Sequence, residues 1–219
     1  MATQRHLDLF GYRDDPVPNT LLLHDTPATQ VGVLLPGFGY TCDMPLFYYA
    51  TSLLWNQGAD VLRVEYSYHR RPRYRESSAT TQLDWLLADT RAALDCVSGQ
   101  PQYQEIILIG KSLGTRAMGY LLTTDSAPQN LRAVWLTPLL GDPVLGRQMQ
   151  ACATPSLTII GTADPHYDAD YLERLALNQR HEILSIQDGD HSLDLAGDLD
   201  GSIAALRRVV DAIGALLEK

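Results

Sequence analysis

Three polar residues, Ser112, Asp164 and His191, stand in that order along the chain, each in a stretch rich in glycine or aspartate, and together they offer acyl-transfer chemistry. A serine hydroxyl is a weak nucleophile at neutral pH. It needs a base within hydrogen-bond reach, usually a histidine whose tautomer and charge are held by a carboxylate. Ser112 lies in Gly110-Lys111-Ser112-Leu113-Gly114, a G-x-S-x-G pattern in which small residues on either side of the serine allow a sharp strand-to-helix turn. In this reading His191 takes the serine proton and returns it to the leaving group. Asp164 fixes the imidazole and balances its charge, and Ser112 carries the acyl group between steps. The developing oxyanion needs two aimed donors, for which the backbone N–H groups of Leu113 and of Phe38, in Pro36-Gly37-Phe38-Gly39, are in the expected places. Gly-Lys-Ser also closes phosphate-binding loops, but Glu105 stands where such a loop needs its first glycine.

Each assignment has a competitor. Asp142, following the preceding strand, is the best substitute acid, and Asp168 a weaker one; His166 competes with His191 but is two residues from Asp164. Lys111 reads as a solvated or structural neighbour, and the Phe38 ring as a core aromatic. His69, Arg70, Arg71, Arg73 and Arg75 crowd into one short loop, and guanidinium forks suit carboxylate or phosphate groups. Arg71 and Arg73, with Gly37 and Tyr40, are therefore candidate substrate contacts, for a substrate bearing an acidic group. A solvated loop paired with nearby acids is the competing expectation.

Positioning these residues requires strands that end beneath them. Val31–Leu35, Val61–Glu65, Ile106–Ile109, Ala133–Leu136, Leu157–Ile160 and Glu182–Ile186 are short apolar runs suited to strands buried on both faces. His6–Phe10 and Thr20–His24 are two further strand candidates. Helical spacing predicts helices over Leu46–Asn56, Ala79–Val97, Thr115–Leu122 and Asp170–Leu177, and a last one in which Leu199, Ile203, Leu206, Val210, Ile213 and Leu217 recur by threes and fours. Pro138–Pro155 has room for a short turn or helix. Alternation of this kind predicts an α/β fold with a doubly wound, mostly parallel sheet of about seven or eight strands, in a single domain over residues 1–219. Ligands of such sheets lie beyond the carboxyl ends of the strands, where the arginine loop, Ser112, Asp164 and His191 all fall.

Composition narrows the function classes. A net charge of −9 over 219 residues works against nucleic-acid binding, which needs a basic face. No apolar run is long enough for a membrane span, and the first residues carry no apolar core of signal-peptide length, so a cytoplasmic protein is expected. Cys42, Cys96 and Cys152 are odd in number and widely spaced, which argues against a disulfide framework or a zinc site. The sequence assigns no oligomeric state.

The order of elbow, acid and histidine, with the Gly37-Phe38 turn, the Gly161-x-x-Asp164 run and Asp190-His191-Ser192, resembles the α/β-hydrolase superfamily from about Val31 to the C-terminus. Resemblance to its small dienelactone-hydrolase-like and lysophospholipase-like branches implies hydrolysis of a small-molecule ester or thioester, with no metal or cofactor and no large cap. Dienelactone hydrolases place cysteine at the elbow, where this chain has Ser112. Two other functions are compatible with the same residues: a catalytically silent hydrolase fold used for binding or assembly, and a peptidase or amidase.

Overall fold

Apolar runs without polar interruption fold as strands covered on both faces, and the computed structural model, which describes residues 3–124, 128 and 130–219, has eight strands. They are β1 (Thr3–Arg5), β2 (Asn19–Leu23), β3 (Gln30–Leu35), β4 (Asp60–Val64), β5 (Glu105–Lys111), β6 (Leu131–Leu136), β7 (Ser156–Gly161) and β8 (His181–Ile186). The sheet order is β1-β2-β4-β3-β5-β6-β7-β8. The helices are α1 (Pro45–Asn56), a short α2 (Pro72–Arg75), α3 (Ala79–Ser98), α4 (Leu113–Leu122), α5 (Pro143–Ala151), α6 (Ala169–Ala176) and α7 (Leu199–Leu217). This is the mostly parallel sheet with flanking helices that the alternation predicts, without a large cap. Among the described residues no helix is long and apolar enough to cross a membrane.

The chain divides into two compact units, Met1–Leu108 with Pro128–Leu131, and Ile109–Ala127 with Arg132–Lys219. In the first, β2 runs antiparallel to β1 and β4, and β3 runs parallel to β4 with Val33 opposite Leu62. Leu46, Phe47, Ala50 and Leu54 form the buried stripe of α1. Trp85, Leu86, Asp89, Thr90, Ala93, Leu94 and Val97 form that of α3, at steps of one and three. The strand expected over His6–Phe10 does not form. The pairing strand lies earlier, at Thr3–Arg5, because Asn19 captures the following segment: its side chain accepts from Leu7 N–H at 3.0 Å and donates to Leu7 O at 2.8 Å.

A buried aromatic column organises the segment after β4. Tyr66 stacks on Tyr68 at 4.8 Å, Tyr68 on Tyr74 at 4.0 Å, and Tyr74 meets Trp85 edge-on at 5.7 Å. Beside it, Asp89 on α3 accepts the Tyr68 hydroxyl at 2.8 Å and the Tyr12 N–H at 3.0 Å. Burial pushes the Asp89 carboxyl up to about 6, against the lowering effect of those two donors. The arginine loop is therefore anchored by packing, with Tyr68–Arg70 in a 3-10 turn and Pro72–Arg75 in α2.

In the second unit β6, β7 and β8 run parallel, with Leu157 opposite both Val134 and Glu182. The Pro138–Pro155 connection holds the nine-residue α5, capped by Asp142, whose carboxylate accepts the Val144 N–H at 2.9 Å. Asp198 caps α7 in the same way, accepting from Gly201.

Gly32 in β3 sets how closely α1 can pack, because a methyl group there would overlap the Leu54 side chain, which is itself buried. Gly32→Ala is expected to cost about 1–3 kcal/mol from overpacking. In a denaturant-melting double-mutant cycle, combining it with Leu54→Ala should cost at least about 1 kcal/mol less than the two separate losses added together. Additive losses would show that the helix and strand do not meet at this point.

Candidate active site

At the end of β5 the backbone must turn within one residue from a strand into α4, and Ser112 makes that turn with φ 50° and ψ −110°. Positive φ is costly for a residue with a Cβ, about 1–3 kcal/mol, and persists only where the surroundings impose it. They do so here through close packing. A Cβ on Gly110 would overlap the Met118 sulfur and come within 3.0 Å of the Gly114 backbone, so the strand and the first turn of α4 touch. Ser112 N–H donates to Leu136 O at 3.0 Å, fixing the corner against the end of β6. Leu113 is the first residue of α4, so its N–H has no acceptor within the helix.

The second unit carries further positive φ values at Thr137, Asp188 and Leu193, past the ends of β6 and β8. For a β-branched residue such as Thr137, φ 43° is a genuine outlier. Strain in this unit thus gathers at the strand ends where the candidate residues lie.

Asp164 follows β7 and His191 follows β8, and these two loops are laced together. Ala163 N–H donates to Gly189 O at 3.0 Å, and Asp188 N–H donates to the Thr162 hydroxyl at 2.7 Å. Across this lacing Asp164 Oδ2 lies 2.8 Å from His191 Nδ1. A carboxylate acceptor at that distance makes Nδ1 the protonated nitrogen and leaves the Nε2 lone pair for a proton. The Asp164 side chain is fully buried, whereas that of His191 is 34% exposed. Burial alone would raise the Asp164 carboxyl. The bonds from His191 and from His166 N–H, with the charge of both imidazoles, outweigh it and hold the group below the usual carboxylate range.

The competitors are otherwise engaged. Asp142 caps α5 and pairs with Arg116 at 2.9 Å. Asp168 caps α6 by accepting from Tyr171 N–H at 2.9 Å. His166 reaches Asp164 through its backbone N–H, at 2.8 Å, and its ring stands edge-on to His191 at 5.5 Å. His166 also borders a cavity of about 450 Å³, lined further by residues 140–141, Pro165 and residues 167–170, with Asp168 and Asp170 as its acidic side.

Lys111, expected as a solvated or structural neighbour of the serine, is buried, with 1% of its surface exposed. Its Nζ donates to the His191 carbonyl at 2.7 Å and to the Thr137 hydroxyl at 3.0 Å. The residue preceding Ser112 is thus tied directly to the histidine loop. Burial pulls the ammonium down to about 8, with the Asp164 and Asp190 carboxylates acting in the opposite sense. The only sequence signal for this role is its position in the elbow, at the end of a strand buried on both faces.

The remaining candidates belong to the first unit. Phe38 is 44% exposed, so its ring is not in the core; its carbonyl is 3.1 Å from His69 Nδ1. Gly37 is buried. The Tyr40 hydroxyl accepts the Leu46 N–H at 3.0 Å, holding the first turn of α1. Arg71 and Arg73 lie over the rings of Tyr68 and Trp85, each at 5.9 Å. The three cysteines are free thiols, and burial raises Cys42 well above its ordinary value.

A family model described as "Alpha/beta hydrolase domain" matches residues 29–215, and the chain belongs to that family. Among solved structures it is similar to an esterase from Pyrococcus furiosus (13% identity, 99% of this chain and 92% of that one, TM-score 0.74). It is also similar to a dienelactone hydrolase from Anabaena variabilis (16% identity, 99% and 97% covered, TM-score 0.71). A third similar structure is an α/β serine hydrolase without a lid from Xanthomonas campestris (18% identity, 97% and 94% covered, TM-score 0.65). No curated protein sequence matches the chain.

Because the folded-state value of Lys111 lies below the ordinary 10.5, the native state binds fewer protons than the unfolded chain between about pH 8 and 10.5. Stability therefore rises with pH through that window by up to roughly 3 kcal/mol from this residue. Urea melts of the wild type and Lys111→Met at pH 7.5 and 10 should show that difference. Parallel pH profiles would mean the ammonium is not desolvated.

Proposed function

We propose that the chain is a serine hydrolase that cleaves carboxylic esters or thioesters through an acyl-enzyme on Ser112. The observation that carries this reading is the Asp164–His191 hydrogen bond at 2.8 Å, in a loop bonded at 2.7 Å to the side chain next to Ser112. Family membership supports a hydrolase.

In the first step the Ser112 oxygen attacks the carbonyl carbon while His191 Nε2 takes the hydroxyl proton. The negative charge moves to the former carbonyl oxygen, met by the N–H of Leu113 at the start of α4. Collapse of this intermediate breaks the bond to the alcohol or thiol, which leaves with the proton from His191. Water then attacks the acyl-enzyme, giving its proton to His191, and the acid departs as the serine recovers its hydrogen. Asp164 stays ionised throughout, since its surroundings hold its carboxyl low.

A fluorophosphonate probe should label the wild type, and Ser112→Ala should abolish the labelling. With nitrophenyl esters of graded chain length and acyl-thioesters, Ser112→Ala and His191→Ala are expected to lower kcat by about 10⁴-fold or more, and Asp164→Ala by about 10²- to 10⁴-fold. Short and medium chains should turn over best. A folded wild type that neither reacts with the probe nor hydrolyses any ester or thioester would instead indicate a silent fold used for binding.

A further inference from the structure

The first unit holds a cavity of about 360 Å³ with Trp85, Pro16 and Pro72 on its apolar wall and three arginines, Arg70, Arg71 and Arg73, around it against the single carboxylate of Asp15. Its volume lies at the small end of ligand sites. Three cations in four residues repel one another, and in a chain of net charge −9 this concentration is anomalous. Among the described residues the only ion pair of these three arginines is Arg73 with Asp15, at 3.8 Å, and Arg73 is 68% exposed there. Arg71 also lies within electrostatic reach of the buried Asp89 carboxylate, so two carboxylates face three guanidinium groups and a net positive charge remains.

The loop is nevertheless held in place. Tyr68 and Tyr74, within its two turns, are buried in the aromatic column, and Pro72 limits the backbone between Arg71 and Arg73. Arg71 is further tied to Pro16 O at 3.4 Å and lies over Tyr68, while Arg73 lies over Trp85. Guanidinium groups carried on packed elements lose little freedom when they bind, and their planar forks match the oxygens of a carboxylate or phosphate. The apolar wall offers nothing to a bare ion but suits a flat hydrocarbon body.

We propose that this cavity binds a small aryl oxyanion, its ring against Pro16 and Pro72 beside Trp85, which is itself 3% exposed and stacked by Tyr12 at 5.0 Å, and its carboxylate or phosphate held by Arg70, Arg71 and Arg73. The proposal does not rest on the hydrolase reading of Ser112.

Trp85 supplies the readout. Benzoate and phenyl phosphate titrated into the wild type should change tryptophan fluorescence saturably, and calorimetry should return the same dissociation constant. Affinity should be unaltered in Ser112→Ala and fall at least tenfold in Arg71→Gln/Arg73→Gln, whose altered side chains are at the surface. Trp85→Phe should remove most of the fluorescence change, with Trp55 and Trp135 still present. Benzyl alcohol, which lacks the charge, and inorganic phosphate, which lacks the ring, should each bind at least tenfold more weakly. Equal affinity in the arginine double variant, equal binding of either control, loss of binding in Ser112→Ala, or no saturable signal by calorimetry and fluorescence would overturn the proposal.

Discussion

One backbone constraint governs the second unit: the chain must reverse from β5 into α4 across a single non-glycine residue. Ser112 accepts a φ of 50° because Gly110 lets the strand and helix close to contact and because its N–H is held by Leu136. The cost, of order 1–3 kcal/mol, is met by the apolar packing of β5 and α4, both largely buried. What the strain achieves is placement. The serine stands at the corner, with the first N–H groups of a helix beginning immediately after it.

That corner is useful only if the histidine loop is held relative to it, and the protein does so with a buried lysine rather than a longer run of backbone. Lys111 and Ser112 are adjacent in β5 and its exit, so the tie from Lys111 to the His191 carbonyl fixes the distance between two loops that are remote in sequence. The lysine is an expensive choice, since burying an ammonium is unfavourable. The Asp164 and Asp190 carboxylates offset part of that cost, and Asp164 serves a second purpose in orienting the imidazole. The strained φ of Thr137 fits the same scheme, because its hydroxyl is the other acceptor of Lys111.

Much of this was legible in the sequence, for a physical reason. Strands buried on both faces leave continuous apolar runs, and in a wound sheet ligands lie just past the strand ends, so the candidates Ser112, Asp164 and His191 could be placed from the apolar runs that precede them. Which carboxylate meets His191 was not legible, since Asp164 and Asp142 both come after strands; the structure bonds Asp164 to His191, while Asp142 caps α5 and pairs with Arg116. Lys111 could be read as either a solvated or a structural neighbour, and only the sheet that buries it decides for the second. The exposed β1 carries no apolar signal at all, and the apolar positions of His6–Phe10 suggested a strand that the Asn19 side chain pre-empts. The aromatic column was hidden for a different reason: tyrosines at 66, 68 and 74 meet Trp85 only through tertiary packing, and without them the arginines look like ordinary solvated charge.

Every role given to the strained corner and its lysine tie presupposes that the Ser112 oxygen is the atom that accepts the acyl group. Rapid mixing with nitrophenyl acetate, acid quenching on the millisecond scale and peptide mass mapping would examine that atom itself. The expected outcome is a burst of nitrophenol with an acetyl adduct on the peptide holding Gly110 to Gly114, localised to Ser112. Steady hydrolysis with no adduct at that residue, continuing at the same rate in Ser112→Ala, would be incompatible with it.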